Sequence, residues 1–416
     1  LSMLLLKLEI KRVLKTRITI VLLFLSFLFS FLFAYLPTTF SYINHVDGAG
    51  QAVKLKGLDS IRYEKEVQAD ITGAVTPEKI RQALEDYQAC LTKYGVDNTY
   101  DLPDGVYERE LFPFMPLLHG VREAFADPGT GIAPSLMELS PEDMDHFYEK
   151  CDERCLTLMK QEQKDHPAAH SVASAMYQKV GKPFLFFPGY GSNPMDYQII
   201  LAFFILLFGT VITAPVFTSD YQTGADDILR CTKYGKVKFA VVKVISALLI
   251  CTVTFSVCTF IYITVSNSLF GWECTKTSMQ MIYSALNLAD MNIGQLQRFT
   301  AVGGLLCIMA STCFTLFLSS KFKNMLASLS VSLLFCILPI ILYMALPADI
   351  GSYIYSVLPA GGTGLQTSIL YAAIDFDFWN IGNLSVWLPY VMLGAYAVEI
   401  PLFFILTVCS YSRHKE

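Results

Sequence analysis

The chain has 416 residues, 53% of them apolar and only 16% charged, with a mean hydropathy of +0.45. A soluble domain carries about 25% charged residues, so this composition excludes a disordered chain and argues against an ordinary soluble enzyme. The net charge of −5 hides a split: residues 37–196 hold 15 basic and 25 acidic residues, the other 256 hold 16 and 11. One acidic, water-facing domain and one basic-edged membrane domain are therefore expected.

Six runs lack Lys, Arg, Asp and Glu: 18–46, 197–219, 244–272, 299–320, 324–348 and, interrupted once, 378–412. Each reaches the roughly 20 residues a spanning helix needs. The first run exceeds the length of a signal-peptide core, and Ala34-Tyr35-Leu36-Pro37 is a poor cleavage site, so 18–36 is expected as the first transmembrane helix. Residues 37–196 follow as a mostly helical domain. Thr76-Pro77-Glu78 and Ser140-Pro141-Glu142 read as helix starts, and a third helix is expected over 168–180. The apolar stretches Leu111–Leu118 and Phe184–Pro188 read as internal packing or as contacts with lipid or a hydrophobic substrate. The second helix is expected over 197–217, a polar loop over 218–243, and four further helices within 244–412. The uncharged stretch 350–374 contains Gly351, Pro359, Gly361, Gly362 and Gly364, which suit a re-entrant or interfacial segment better than a seventh span. The expected fold is an all-α membrane protein with six transmembrane helices.

Basic residues orient the chain. Fourteen of them, from Lys7 to Arg17, Arg230 to Lys243, at Lys321 and Lys323, and at Arg413 and Lys415, fall on one side, against Lys276 and Arg298 in the short loops of the other. By the positive-inside rule both termini (1–17 and 413–416) are cytoplasmic and residues 37–196 extracellular.

Eleven cysteines are present, six of them in the apolar runs. Cys151 and Cys155 share one helix face, and Cys90 lies on the helix expected to pack there. A disulfide from Cys90 to one of them is one reading, and buried free thiols are the other. His166 and His170 have a ligand-like spacing, but Pro167 disfavours helical geometry at His166, so isolated surface histidines and no metal are expected.

The chain has no G-x-x-x-x-G-K-[ST], H-E-x-x-H, G-x-S-x-G or G-x-G-x-x-G pattern. The expected spans hold one acid, Glu399, and no histidine, so an intramembrane hydrolase is not indicated. Glu399 is a candidate either for a helix–helix hydrogen bond or for the transport path.

The loop 218–243 carries the functional signal. Asp220 follows the second span, Gly224 precedes a short helix expected over 224–234, and basic residues lead into the third span. Asp226 and Asp227 suit that helix's first turn and Lys233 its last. Ile228 and Leu229 are apolar in a polar loop and suit an anchor, with Asp226, Asp227, Arg230 and Lys233 as its charged rim.

On Asp220, Gly224, Leu229, Lys233, Lys236 and Lys243 the chain resembles permease subunits of type 2 ABC exporters, although Asp220 stands where Glu is commoner and Ala225 where Thr is usual. The resemblance implies that this loop is a coupling helix docking on a separate ATPase, which would bind the ATP and Mg. It implies that segment 3–16 is an interfacial helix, that 350–374 is a re-entrant hairpin, and that a second permease subunit pairs with this one. The large domain after the first span is similar to that of a subset of such permeases in the plasma membrane of Gram-positive bacteria. The expected function is export of an amphiphilic or hydrophobic cargo (lipid, peptide or drug), with no enzymatic activity, no cofactor in the chain, and membrane lipid rather than nucleic acid around it. The alternatives are a mechanotransmission subunit that moves its outer domain, against which six spans count, and a receptor or sensor without an ATPase.

Overall fold

In lipid a single segment satisfies its backbone polar groups only as a helix. The computed structural model of this protein, which describes residues 3–46, 52–232 and 235–413, has six helices long and apolar enough to cross a membrane. A short amphipathic helix, α1 (Met3–Leu14), comes first, then the first long helix, α2 (Arg17–Tyr35).

Between α2 and the second long helix lie the hairpin β1 (Tyr42–Val46) and β2 (Ala52–Lys56), α3 (Leu58–Val67), β3 (Gly73–Ala74), α4 (Pro77–Tyr94), α5 (Val121–Ala124), α6 (Phe147–Glu162), α7 (Pro167–Tyr177) and β4 (Leu185–Phe186). Strand β1 pairs antiparallel with β2, Tyr42 opposite Lys56, and β3 pairs with β4, Gly73 opposite Phe186. Thr76 caps α4 by accepting from the Lys79 amide at 3.4 Å, and Gly95, at φ +64°, ends the helix in the left-handed region that glycine tolerates. The second expected start behaves differently. The Ser140 hydroxyl turns to the Glu142 carboxylate instead of a backbone amide, residues 141–146 form a 3₁₀ turn, and the α-helix begins only at Phe147.

The second long helix is α8 (Asn193–Thr213), broken by Pro215 and continued as α9 (Pro215–Thr223). A six-residue helix, α10 (Ala225–Arg230), leads to α11 (Val237–Phe270). Then come α12 (Ile293–Lys321), α13 (Met325–Ala345), the short α14 (Ala348–Tyr355) and α15 (Ile369–Ile374), the hairpin β5 (Phe378–Ile381) and β6 (Leu384–Trp387), and α16 (Leu388–Arg413). Asn292 and Gln295 cap α12 reciprocally, each side chain accepting from the other's amide at 2.8 Å. Helices α12 and α16 pack most extensively, α11 packs against both, α8 packs against α11 and α12, and α2 packs on α8 and α11.

Three expectations change. The run 378–412 is not one helix, because its first ten residues form the β5–β6 hairpin around Gly382 (φ +57°). The region 37–196 is not a separately cored domain. Its core, through Leu84, Leu91, Phe147, Tyr177 and Phe184, continues through Met279, Ile293, Leu370 and Trp387, so it is built onto the connections at that end of the bundle. No disulfide links Cys90, Cys151 or Cys155: all three are buried free thiols. Cys90 faces Lys93 and Glu110, whereas Cys151 and Cys155 face Tyr177 and Lys182. The helices carrying them turn those faces to different neighbours.

The apolar stretches at 111–118 and 184–188 are largely internal. Leu111, Leu117, Leu118, Phe184 and Phe186 lie in the core. Between α14 and α15 the chain enters the bundle. The Pro359 carbonyl accepts from Ser311 Oγ at 2.7 Å and from Cys307 Sγ at 3.3 Å, near the midpoint of α12.

Candidate coupling site

The loop marked out by the sequence lies where α1, α9, α10, α11 and the ends of α12 and α16 meet. Pro215 has no amide hydrogen, which interrupts the helical ladder at the α8–α9 break. Side chains bond the backbone groups around it. Ser319 Oγ donates to the Ala214 carbonyl at 2.6 Å and accepts from the Phe217 amide at 3.0 Å, and the Val216 carbonyl accepts from Lys243 Nζ at 2.7 Å.

Lys243 also pairs with Asp220 Oδ2, and Asp220 Oδ1 accepts from Arg12 at 2.7 Å. Arg12 in turn bonds Glu9 one turn earlier on α1. Two acids and two bases thus form one neutral cluster tying the amphipathic helix to the second and third long helices. Lys243 is fully buried and also lies over the rings of Phe217 and Phe239, at 4.8 and 5.1 Å.

Gly224, at φ +67°, turns the chain from α9 into α10. Gly235 closes the far side. A Cβ there would collide with the Leu229 carbonyl, so only glycine fits against the end of the helix, which stops at Arg230, short of the expected 234. The acids and bases expected as one rim divide into two groups. Asp226 is buried and lies 3.7 Å from Arg230. Arg230 donates to the carbonyls of Tyr411 and Ser412 at 2.9 and 3.4 Å, so both residues bolt α10 to the end of α16. Asp227 remains exposed. Lys233 lies outside the described residues. Of the apolar pair, Ile228 is 74% exposed and Leu229 half-buried. A polar cleft of about 630 Å³ opens beside α10, with Asp227 and Lys323 among its walls. The arrangement is therefore a short helix held rigidly from behind, with one large aliphatic side chain presented outward.

Sequence reasoning missed Glu9 and Arg12, and counted Lys243 as an edge charge. The available signal was an acid three residues before an arginine on one face of a basic amphipathic helix. Glu399 lies in α16 two residues before Pro401, half-buried, with Oε2 enclosed and without a partner among the described residues. His170 bonds the Gln163 carbonyl at 2.8 Å, His166 precedes α7, and no metal-binding cluster occurs among the described residues.

A family model described as ABC-2 family transporter protein matches residues 3–371. No curated protein gives a significant match.

Proposed function

The chain belongs to the ABC-2 family of transporter proteins, as a multi-pass transmembrane permease subunit, and from that premise we propose that it exports an amphiphilic or hydrophobic cargo, driven by a separate ATPase docked on α10. The observation that carries this reading is Ile228, an exposed aliphatic side chain on a helix whose Asp226 and Arg230 are turned inward as braces. An exposed apolar side chain beside a charged neighbour, Asp227, suits an anchor that a partner buries and its polar rim. The chain itself has no phosphate-binding loop, so energy for transport comes from a partner. The almost uncharged long helices support an apolar path, formed with a second permease subunit. The basic residues near α10 support a cytoplasmic position for this end, with the large domain outside the plasma membrane.

The continuous core between the large domain and the ends of α8, α11 and α12 favours a second reading, in which ATP hydrolysis moves that domain instead of a cargo. Ile228→Asp separates both from an ATPase-independent receptor. We expect the variant to remain folded, since the side chain is exposed, while ATPase co-purification falls by about tenfold or more, the scale of a lost anchor. Asp227→Ala should change it less. Wild-type ATPase retention and transport in Ile228→Asp would overturn the assignment.

A further inference from the structure

A cleft of about 680 Å³ opens in the large domain between α3, α4 and the segment 97–122. Two local structures shape it. Residues Tyr107–Leu111 form a π-turn, closed by the Phe112 amide on the Tyr107 carbonyl at 2.8 Å. This rare geometry recurs at functional sites, and here it sets two aromatic residues, Tyr107 and Phe112, in the wall. Tyr100 is 96% exposed, yet it is held on a 3₁₀ turn in which Asn98 Oδ1 accepts from the amides of Tyr100 and Asp101 at 2.9 and 3.2 Å. A large ring is thus presented to water at a fixed position, beside the exposed Asp97.

Several of the cleft's donors are already spent on backbone carbonyls, although the Nη hydrogens of Arg122 are not among them. Gln68 Nε2 is taken by the Phe112 carbonyl at 3.1 Å, Arg122 Nε by the Pro134 carbonyl at 2.8 Å, and His119 Nε2 by the Tyr283 carbonyl at 2.6 Å. A neutral His119 ring then keeps only an acceptor at Nδ1. Gln68 Oε1 is buried with no donor. Glu64 accepts from the Gly189 amide at 3.3 Å, and burial pushes its carboxyl above the usual range, a shift that a bound cation would oppose. The surrounding region carries 25 acidic against 15 basic residues, which raises the local concentration of cations.

We propose that this cleft binds an organic cation: an ammonium or guanidinium group on an apolar frame, as in a basic, aromatic peptide. The charge meets Asp97 and Glu64, its N–H groups meet the free acceptors, and the tyrosine faces supply cation–π and stacking contacts. Carbohydrate also stacks on such rings, but it offers no positive charge to Asp97 and Glu64. Two contacts connect occupancy to the bundle: His119 to Tyr283 ahead of α12, and Glu64 to Gly189 ahead of α8.

The test uses the full-length protein in zwitterionic nanodiscs, without nucleotide or ATPase, so the outcome is independent of the transport reading. The probe is fluorescein-labelled Arg-Trp-Arg amide, followed by anisotropy. We expect saturable binding, displacement by the unlabelled peptide but not by Glu-Trp-Glu amide, and at least about tenfold weaker binding for Tyr100→Ala and for Asp97→Asn, as loss of one cation–π or charge contact implies. Both positions are exposed, so the melting temperature should not move. No saturation, equal affinity in both variants, or stronger displacement by maltotriose than by the unlabelled peptide would overturn the proposal.

Discussion

Lys243 shows how little a residue's type says about its setting. In sequence it is one of several lysines at a membrane edge, but in the fold it is wholly enclosed and bonded to Asp220 and the Val216 carbonyl. The sequence marked Asp220 and Lys243 together, but not their burial or the link to Arg12, which lies 208 residues from Asp220. A buried charge is tolerated only when paired, and removing one partner costs about 3–5 kcal/mol. Lys243→Met should therefore lower the melting temperature sharply, and so should Asp220→Leu. The double variant should lose clearly less than the sum, because no acid is left facing an empty site. Additive losses would show that the two side chains do not interact. The cysteines give a second prediction at this scale. Burial pushes the Cys151 and Cys155 thiols up to about 12, and the thiolate is the reactive form. Neither should react with a maleimide in the folded protein. After denaturation without reductant both should be alkylated, as should Cys90. A mass consistent with a bridged pair would contradict the structure.

Among the elements, those driven by composition were legible. Charge-free runs located the long helices, and Thr76-Pro77 and Gly95 marked the two ends of α4. Elements set by exact backbone geometry were harder to read. The β5–β6 hairpin lies in an uncharged run, and its turn signal, Gly382-Asn383, is short. The end of α10 depends on how closely Gly235 approaches Leu229. The glycine-rich stretch before the hairpin reads in sequence as a re-entrant or interfacial segment instead of a seventh span, and its glycines are not equivalent. A Cβ at Gly361 would collide with the Tyr355 carbonyl, whereas one at Gly394, inside α16, meets nothing within 4 Å. Gly361→Ala should therefore destabilise by about 1–3 kcal/mol, the scale of overpacking. Gly394→Ala should be neutral or stabilise by up to about 1 kcal/mol, the helix-propensity difference. Thermal unfolding in detergent distinguishes the two, and equal effects would show that the turn is not packed as described.

At the scale of the whole molecule, the chain is a six-helix bundle with different equipment at its two ends. One end carries α1, the neutral charge cluster and the outward-facing Ile228. The other carries a large region whose core runs into the bundle's own connections. The division was legible from charge, since the acidic excess and the basic flanks fall in different parts of the sequence. The shared core was not, because it joins segments more than a hundred residues apart. The central claim is that an ATPase reaches α10 from the cytoplasm while the large region lies outside. Site-directed labelling on intact cells tests it most directly. In a background with the exposed Cys231 and Cys409 replaced by serine, single cysteines are placed at Gly105 and at Ile228 and treated with a membrane-impermeant maleimide. The account predicts labelling at Gly105 in intact cells, and at Ile228 only after permeabilisation. Labelling of Ile228→Cys in intact cells, or protection of Gly105→Cys there, would contradict it.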